Sequence, residues 1–225
     1  MQKLEDLKKQ FKNQSLLDQA LTHKSWVNEN PDKRGSNERL EFLGDAVLEL
    51  VVTDHLYKRL PTKPEGYLTA LRANIVNTKN LAALGLSMNL GASIFLSKGE
   101  AEFGGAKNTS LLADSVEAII GSIYLDSGLS AAKKFITDNL LFDLDAKLKE
   151  PLKDPKSTLQ EYCQSEKKLA PKYKLVKEEG PINAREFTIE VEVGEKVLGV
   201  GVGKNKQEAQ QKAAAVALRL LKTEF

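Results

Sequence analysis

The chain has 225 residues, 41% of them hydrophobic, enough for one large domain or two modest ones with buried cores. Its 33 basic and 31 acidic residues leave a formal net charge of +2, which by itself implies neither a polyanion partner nor an acidic tail. The single cysteine, Cys163, excludes an internal disulfide framework and suits a reducing compartment. The start lacks an apolar signal region and no apolar run is long enough to span a bilayer, so a soluble cytoplasmic protein with no membrane association is expected.

Residues 1–150 read as successive helices. Leu4, Leu7 and Phe11 mark a short amphipathic opening, and Leu16, Leu17, Ala20 and Leu21 a second helix. A polar loop through Asn28, Asn30, Pro31 and Gly35 follows. Trp26 is expected in the core. The next helix starts at Asn37, a fitting N-cap, and runs to about Leu60. Leu40, Leu43, Val47, Leu50 and Val51 form its apolar face. Glu38, Glu41 and Asp45 fall on the opposite face at spacings i, i+3 and i+7. Such an acid stripe is either a solvated face or half of a cation site, because carboxylates in a row repel.

Thr62-Lys63-Pro64-Glu65 has the form of a capping box and opens a helix through Leu68, Leu71, Ile75 and Val76. Shorter helices are expected at 78–85 and 93–98, then a loop from Gly99 to Gly105. Leu111–Leu125 is apolar on nearly every side, and an amphipathic helix follows over 130–148. The only charges in Leu111–Leu125 are Asp114 and Glu117, at i and i+3. Buried carboxylates are costly unless a cation meets them. A salt bridge to Arg39 or Arg72 would satisfy them, and so would a metal. Oxygen donors without a histidine or cysteine cluster favour Mg²⁺ or Mn²⁺ over zinc. Gly121, on the same stripe, would let another element approach closely. His23 and His55 have no ligand-like spacing and read as ordinary hydrogen-bonded histidines.

Two prolines and many charges in 146–156 mark a linker, placed at 149–153, and the periodicity then changes. Residues 1–150 hold 19 basic and 20 acidic side chains, whereas 151–225 hold 14 and 11, so the modest basic excess lies in the second part. Ser157–Lys168 is helical, with Leu159, Tyr162 and Cys163 inward. Strands follow at Lys172–Lys177, Glu186–Val193 and Val197–Val202, the middle one alternating strictly. An alanine-rich helix, Gln207–Lys222, closes the chain with Ala209, Ala213, Val216, Ala217 and Leu220 inward. Lys204 and Lys206 stand where a strand leads into that helix, a place suited to phosphates.

Asn37-Glu38-Arg39-Leu40-Glu41-Phe42-Leu43-Gly44-Asp45 resembles the signature of bacterial ribonuclease III, the endonuclease that cuts double-stranded RNA. Leu111–Gly121 is similar to the family's second acidic motif. The resemblance implies an all-α endonuclease domain, 1–148, followed by an α+β (α-β-β-β-α) double-stranded RNA-binding domain, 154–225. It implies a metal site formed by Glu41, Asp45, Asp114 and Glu117, with Asp45 and Glu117 carrying catalysis. Glu38 and Glu65 would line the same cleft as accessory residues. Phe42 would plug into a pocket of a second subunit, making a homodimer.

In the C-terminal module, Ser157, Gln160 and Glu161 match first-helix positions that touch 2′-hydroxyls. Asn183 matches a loop that enters the next minor groove. Lys204, Asn205 and Lys206 match the phosphate-binding helix start. Many relatives carry histidine in place of Asn183 and lysine in place of Gln207, so weaker binding of the same ligand is expected.

The implied reaction is hydrolysis of duplex RNA with Mg²⁺, or Mn²⁺ in its place. It would leave 5′-phosphate and 3′-hydroxyl ends with short 3′ overhangs and process ribosomal and other structured RNAs. The competing class is a duplex-RNA binding protein with an inactive nuclease fold; the presence of all four metal carboxylates argues for the enzyme.

Overall fold

The computed structural model of the chain describes residues 3–148, 154–181 and 185–223. The chain divides into two compact units, residues 1–150 and 151–225. The linker expected at 149–153 lies outside the described residues.

The first unit is helical: α1 (Leu4–Lys8), α2 (Gln14–Ala20), α3 (Lys24–Glu29), α4 (Glu38–Arg59), α5 (Glu65–Ile75), α6 (Thr78–Ser87), α7 (Lys98–Glu102), α8 (Thr109–Leu140) and α9 (Leu144–Lys147). At its centre α4 lies against α8. Leu40, Val47, Leu48, Val51, Val52 and Leu56 of α4 are buried, as are Leu112, Val116, Ile119, Ile120 and Ile123 of α8. The helices meet on glycine. A Cβ on Gly44 would overlap the Glu117 carbonyl, and one on Gly121 would overlap the Leu40 carbonyl. Close approach here is possible only because both residues lack a side chain. Inside α8, Gly128 takes φ +81° and breaks the helix, which separates the apolar first half from the amphipathic second half.

Several expectations are corrected. Asn37 does not cap α4 with its side chain: its own backbone is helical, at φ −76° and ψ −11°, whereas a cap residue needs an extended backbone. Its N–H instead donates to the Thr22 carbonyl at 2.8 Å. Leu50 is 57% exposed. It sits about 100° round the helix from buried Val51 and joins Phe42 and Tyr57 on an outer stripe. The capping box at Thr62 does not form, because α5 starts two residues late with Pro64 as its cap. Residues 93–97 are not helical. Phe95 runs extended beside Leu21–His23, its N–H donating to the Leu21 carbonyl at 2.8 Å and its carbonyl accepting from His23 N–H at 3.1 Å. Gly99–Glu102, expected as loop, belong to a helix, Lys98–Glu102, capped by Ser97. The helix after Gly128 stops at Leu140 rather than 148. Trp26 is only half-buried, tilted against Phe95 at 5.7 Å between centroids.

The second unit orders as α10 (Pro155–Ser165), β1 (Lys172–Glu179), β2 (Glu186–Val193), β3 (Lys196–Gly203) and α11 (Lys206–Thr223). The sheet is antiparallel in the order β1-β2-β3. Ile189 and Val191 of β2 are buried and the intervening glutamates are not, as the period-two pattern requires. The helix α11 packs on β3 through small residues on both sides. Cβ atoms on Gly199, Gly201 and Gly203 would each strike the α11 backbone, near Ala213, Ala213 and Ala209 respectively. Val216 and Leu220, expected inward, are exposed; Ala214 and Leu221 take their places. A helix this close to a strand accepts alanine at the contact and turns bulky side chains outward.

Gly121→Ala should destabilise the first unit by at least about 2 kcal/mol, since backbone and not a movable side chain stands in the way. Gly66→Ala, with nothing within 4 Å of the added carbon, should change stability by no more than about 1 kcal/mol, toward stabilisation. Urea unfolding of the two variants checks the contrast.

Candidate active site

The glycine crossing places the acidic face of α4 beside the two charges of α8. Glu41 and Asp114 line one pocket of about 260 Å³, together with Glu38, Asn37, His23 and Lys24. Asp45 and Glu117 extend the acid cluster along the crossing, and Asp45 is the charge that acts most strongly on Glu117. Burial, then the charges of Asp45, Asp114, Glu41 and Glu49, pushes the Glu117 carboxyl up to about 7. Burial and the charges of Asp114 and Glu38 also raise Glu41. Asp114 is raised by burial, with His23 and Lys24 acting against the shift.

The salt-bridge alternative is not realised. Arg72 pairs with Glu49 at 2.7 Å and donates to Thr53 at 2.9 Å. Among the described residues neither Asp114 nor Glu117 has a basic ion-pair partner. Carboxylates gathered on two helices, three of them raised, with only oxygen donors, suit a hard divalent cation. Among the described residues no three acid, histidine or cysteine side chains already form a closed ligand cage. The acids are held as electrostatic neighbours on two helices.

Glu38 sits at the rim. A hydrogen bond from the Ser36 hydroxyl, at 3.0 Å, and then the Lys24 ammonium, at 3.4 Å, hold its carboxyl below the usual range. Glu65 does not join the pocket. It starts α5, accepts from the Thr69 hydroxyl at 2.9 Å, and lines a separate depression with Tyr57, Lys63 and Arg72. Phe42 is 81% exposed beside the acids, with Leu50 and Tyr57 further along the same outer face. Glu49 and His23 were not expected near the site. Glu49 continues the acid stripe at i+4 from Asp45, a signal that the sequence did contain. His23 is brought in by the extended segment around Phe95, which no periodicity shows.

In the second unit Ser157, Gln160 and Glu161 lie exposed on α10, and Lys204, Asn205 and Lys206 lie exposed at the start of α11. Asn183 lies outside the described residues. Two of these positions also serve the fold. The Ser157 N–H and hydroxyl both donate to the Asp154 carboxylate, at 3.0 and 2.8 Å. Asn205 Oδ1 accepts from Glu208 N–H at 2.8 Å, while Glu208 reaches back to Lys204 N–H at 3.0 Å, a reciprocal cap for α11. Asp154 also accepts from Gln211 at 2.7 Å, tying the start of α10 to α11.

The fold defines a class: a helical nuclease domain followed by a double-stranded RNA-binding domain. A family model described as Ribonuclease-III-like matches residues 13–144, and one described as Double-stranded RNA binding motif matches residues 155–221. The chain is 46% identical over 221 residues to the Ribonuclease 3 of Borreliella burgdorferi, covering 97% of this chain and 89% of that one. It is 46% identical over 213 residues to the Ribonuclease 3 of Bacillus licheniformis, covering 94% and 86%. Among solved structures, the nuclease domain of ribonuclease III from Campylobacter jejuni is similar at 42% identity and a TM-score of 0.57, over 64% of this chain and 97% of that one. The chain belongs to the ribonuclease III family, and it is an endonuclease that hydrolyses double-stranded RNA.

The raised Glu117 carboxyl has a consequence for stability. Its ordinary value is 4.5, so in the metal-free protein the folded state holds a proton that the unfolded state has lost between about pH 4.5 and 7. The native state is therefore penalised as pH rises through that window. Glu117→Gln should raise the metal-free melting temperature at pH 8, by a free energy on the order of 1–3 kcal/mol. That gain should vanish near pH 4.5. Melting curves in EDTA at the two pH values test it.

Proposed function

We propose that this chain works as a homodimeric, Mg²⁺-dependent endonuclease of the cytoplasm that cleaves both strands of duplex RNA, ribosomal precursors among its substrates. The observation that carries the reading is the acid cluster itself. Two helices bring together carboxylates that raise one another's pKa and find no basic partner among the described residues. Such an arrangement is unfavourable for the free protein and favourable once a divalent cation arrives. Mn²⁺ satisfies the same donor set.

Glu41, Asp45, Asp114 and Glu117 would hold the metal. A bound divalent ion supplies activation of water for attack on phosphorus and charge stabilisation at the leaving 3′ oxygen. The residues of the chain set up that chemistry. Leu112, Val116 and Ile120 anchor α8, so Asp114 and Glu117 are presented from a rigid element. Ser36 and Lys24 hold Glu38 ionised at the rim. The products are 5′-phosphate and 3′-hydroxyl ends with short 3′ overhangs. Glu65, remote from this pocket within one chain, serves the cleft as an accessory acid only by contacting RNA or by facing it in an assembly.

The exposed stripe of Phe42, Leu50 and Tyr57 supports self-association. One structure of the Campylobacter nuclease domain, 45% identical over 59% of this chain and 92% of that one with a TM-score of 0.54, concerns a region involved in dimer formation. A large exposed aromatic beside an acid cluster is costly in a monomer and typical of an interface anchor. The second unit supplies duplex affinity: α10 presents Ser157, Gln160 and Glu161 toward a minor groove, the loop at Asn183 reaches the next, and Lys204, Asn205 and Lys206 meet the phosphates between.

Four measurements test this. A long RNA duplex should be cut with Mg²⁺ or Mn²⁺ and stay intact in excess EDTA. Glu117→Gln should lose cleavage by at least about a hundredfold while keeping duplex affinity, because the charge that draws metal is gone and the RNA-binding unit is untouched. Normal cutting by that variant would make the acid pair structural. A chain ending near residue 150 should lose most duplex affinity at physiological salt and retain slow cleavage at low salt, where phosphate contacts are strongest. Phe42→Ala should shift sedimentation from dimer toward monomer; an unchanged dimer would move the interface elsewhere.

A further inference from the structure

His23 belongs to the polar pocket that holds Glu41 and Asp114. Its ring is fixed in one orientation. Nδ1 accepts from the backbone N–H of Ser25 at 3.3 Å, which caps α3, and lies 2.8 Å from the Ser25 hydroxyl. The Ser25 hydroxyl oxygen in turn accepts from Ser97 N–H at 3.0 Å, so its own proton is free for Nδ1. A backbone N–H can only donate, so Nδ1 carries no proton and Nε2 does. Burial lowers the imidazole below its ordinary value, which keeps the ring neutral at pH 7. Among the described residues Nε2–H has no hydrogen-bond partner.

A phosphodiester entering this pocket meets three carboxylates, all acceptors. It needs N–H donors. Lys24 Nζ is already 3.4 Å from Glu38. What remains unspent is His23 Nε2–H and the side-chain amide of Asn37. Asn37 is only 3% exposed, lines the same pocket, and makes no side-chain hydrogen bond among the described residues. Its amide N–H groups are therefore available to a ligand in that pocket.

We propose that His23 is a substrate-positioning residue, donating Nε2–H to a non-bridging oxygen of the phosphodiester being cut, with Asn37 as a second donor on the same wall. The role rests on reading the acid cluster as the cleavage centre. It is a neutral donor and not a general base: Nδ1 is engaged by Ser25, and the ring's proton is on Nε2.

Two substitutions separate this from helix capping. His23→Asn keeps an acceptor for Ser25 N–H, and asparagine is a good cap, but it has no donor at the position of Nε2. His23→Gln reaches to that position with an N–H and caps poorly. Single-turnover cleavage, metal-free duplex affinity and melting temperature are measured on both, beside Glu117→Gln. Positioning predicts that His23→Asn melts normally, binds duplex normally, and cuts about tenfold or more slowly at saturating enzyme, as expected for one lost hydrogen bond to a charged group. His23→Gln should regain part of that rate despite a lower melting temperature. A purely structural histidine predicts the reverse order, with His23→Asn normal and His23→Gln impaired, and that result would overturn the assignment. If Glu117→Gln itself cuts normally, the reading of the cleavage centre has failed; if Glu117→Gln is inactive and His23→Asn is normal, only the His23 role has.

Discussion

The first unit depends on one close contact between two helices. Gly44 and Gly121 let the α4 and α8 backbones touch, and no side chain larger than hydrogen fits at either place. That contact sets what faces what. Leu40 and Val47 bury on one side of the crossing, while Glu41, Asp45, Asp114 and Glu117 are left as neighbours beside it. The site therefore needs no loop to build it. Its carboxylates ride on helices whose apolar faces lock them, and the repulsion among them is stored in the fold until a cation offsets it.

The second unit solves a similar problem with different residues. Glycines at every second position of β3 meet alanines spaced along α11, so helix and strand pack backbone to backbone. This stiff core fixes the exposed starts of α10 and α11. Asp154 and Gln211 join those starts directly. Ser157 gives its N–H and its hydroxyl proton to the fold and Asn205 its Oδ1, and both residues stay exposed. If these starts meet phosphates as proposed, a surface built this way is ordered before RNA arrives, which lowers the ordering cost of binding.

Much of this was legible in the sequence. Strong periodicity placed α4, α5, the two halves of α8, and the whole α-β-β-β-α order. The acid spacings i, i+3 and i+7 on α4 and i, i+3 on α8 gave five candidate carboxylates, from which the family resemblance picked four, and Gly121 announced a close approach. What failed has a common cause. Asn37, Leu50, Val216 and Leu220 were assigned from local pattern, and tertiary packing decided otherwise. Asn37 spends its backbone on Thr22, and the tight approach of α11 to β3 expels Val216 and Leu220. His23 could not be placed at all, since a single extended pairing beside Phe95 carries it to the acids across 91 residues of chain from Asp114.

The central claim is that the crossing of α4 and α8 makes a cation site from coupled carboxylates. The direct measurement is Mn²⁺ binding to the RNA-free protein, followed by electron paramagnetic resonance from pH 5 to 8, in the native chain and in Asp114→Asn. Since the cation must displace protons from carboxyls that burial and mutual charge have raised, affinity should climb steeply as pH rises toward and past about 7. Asp114→Asn should weaken binding and flatten that climb. Binding that is independent of pH, or that survives Asp114→Asn unchanged, would contradict the account.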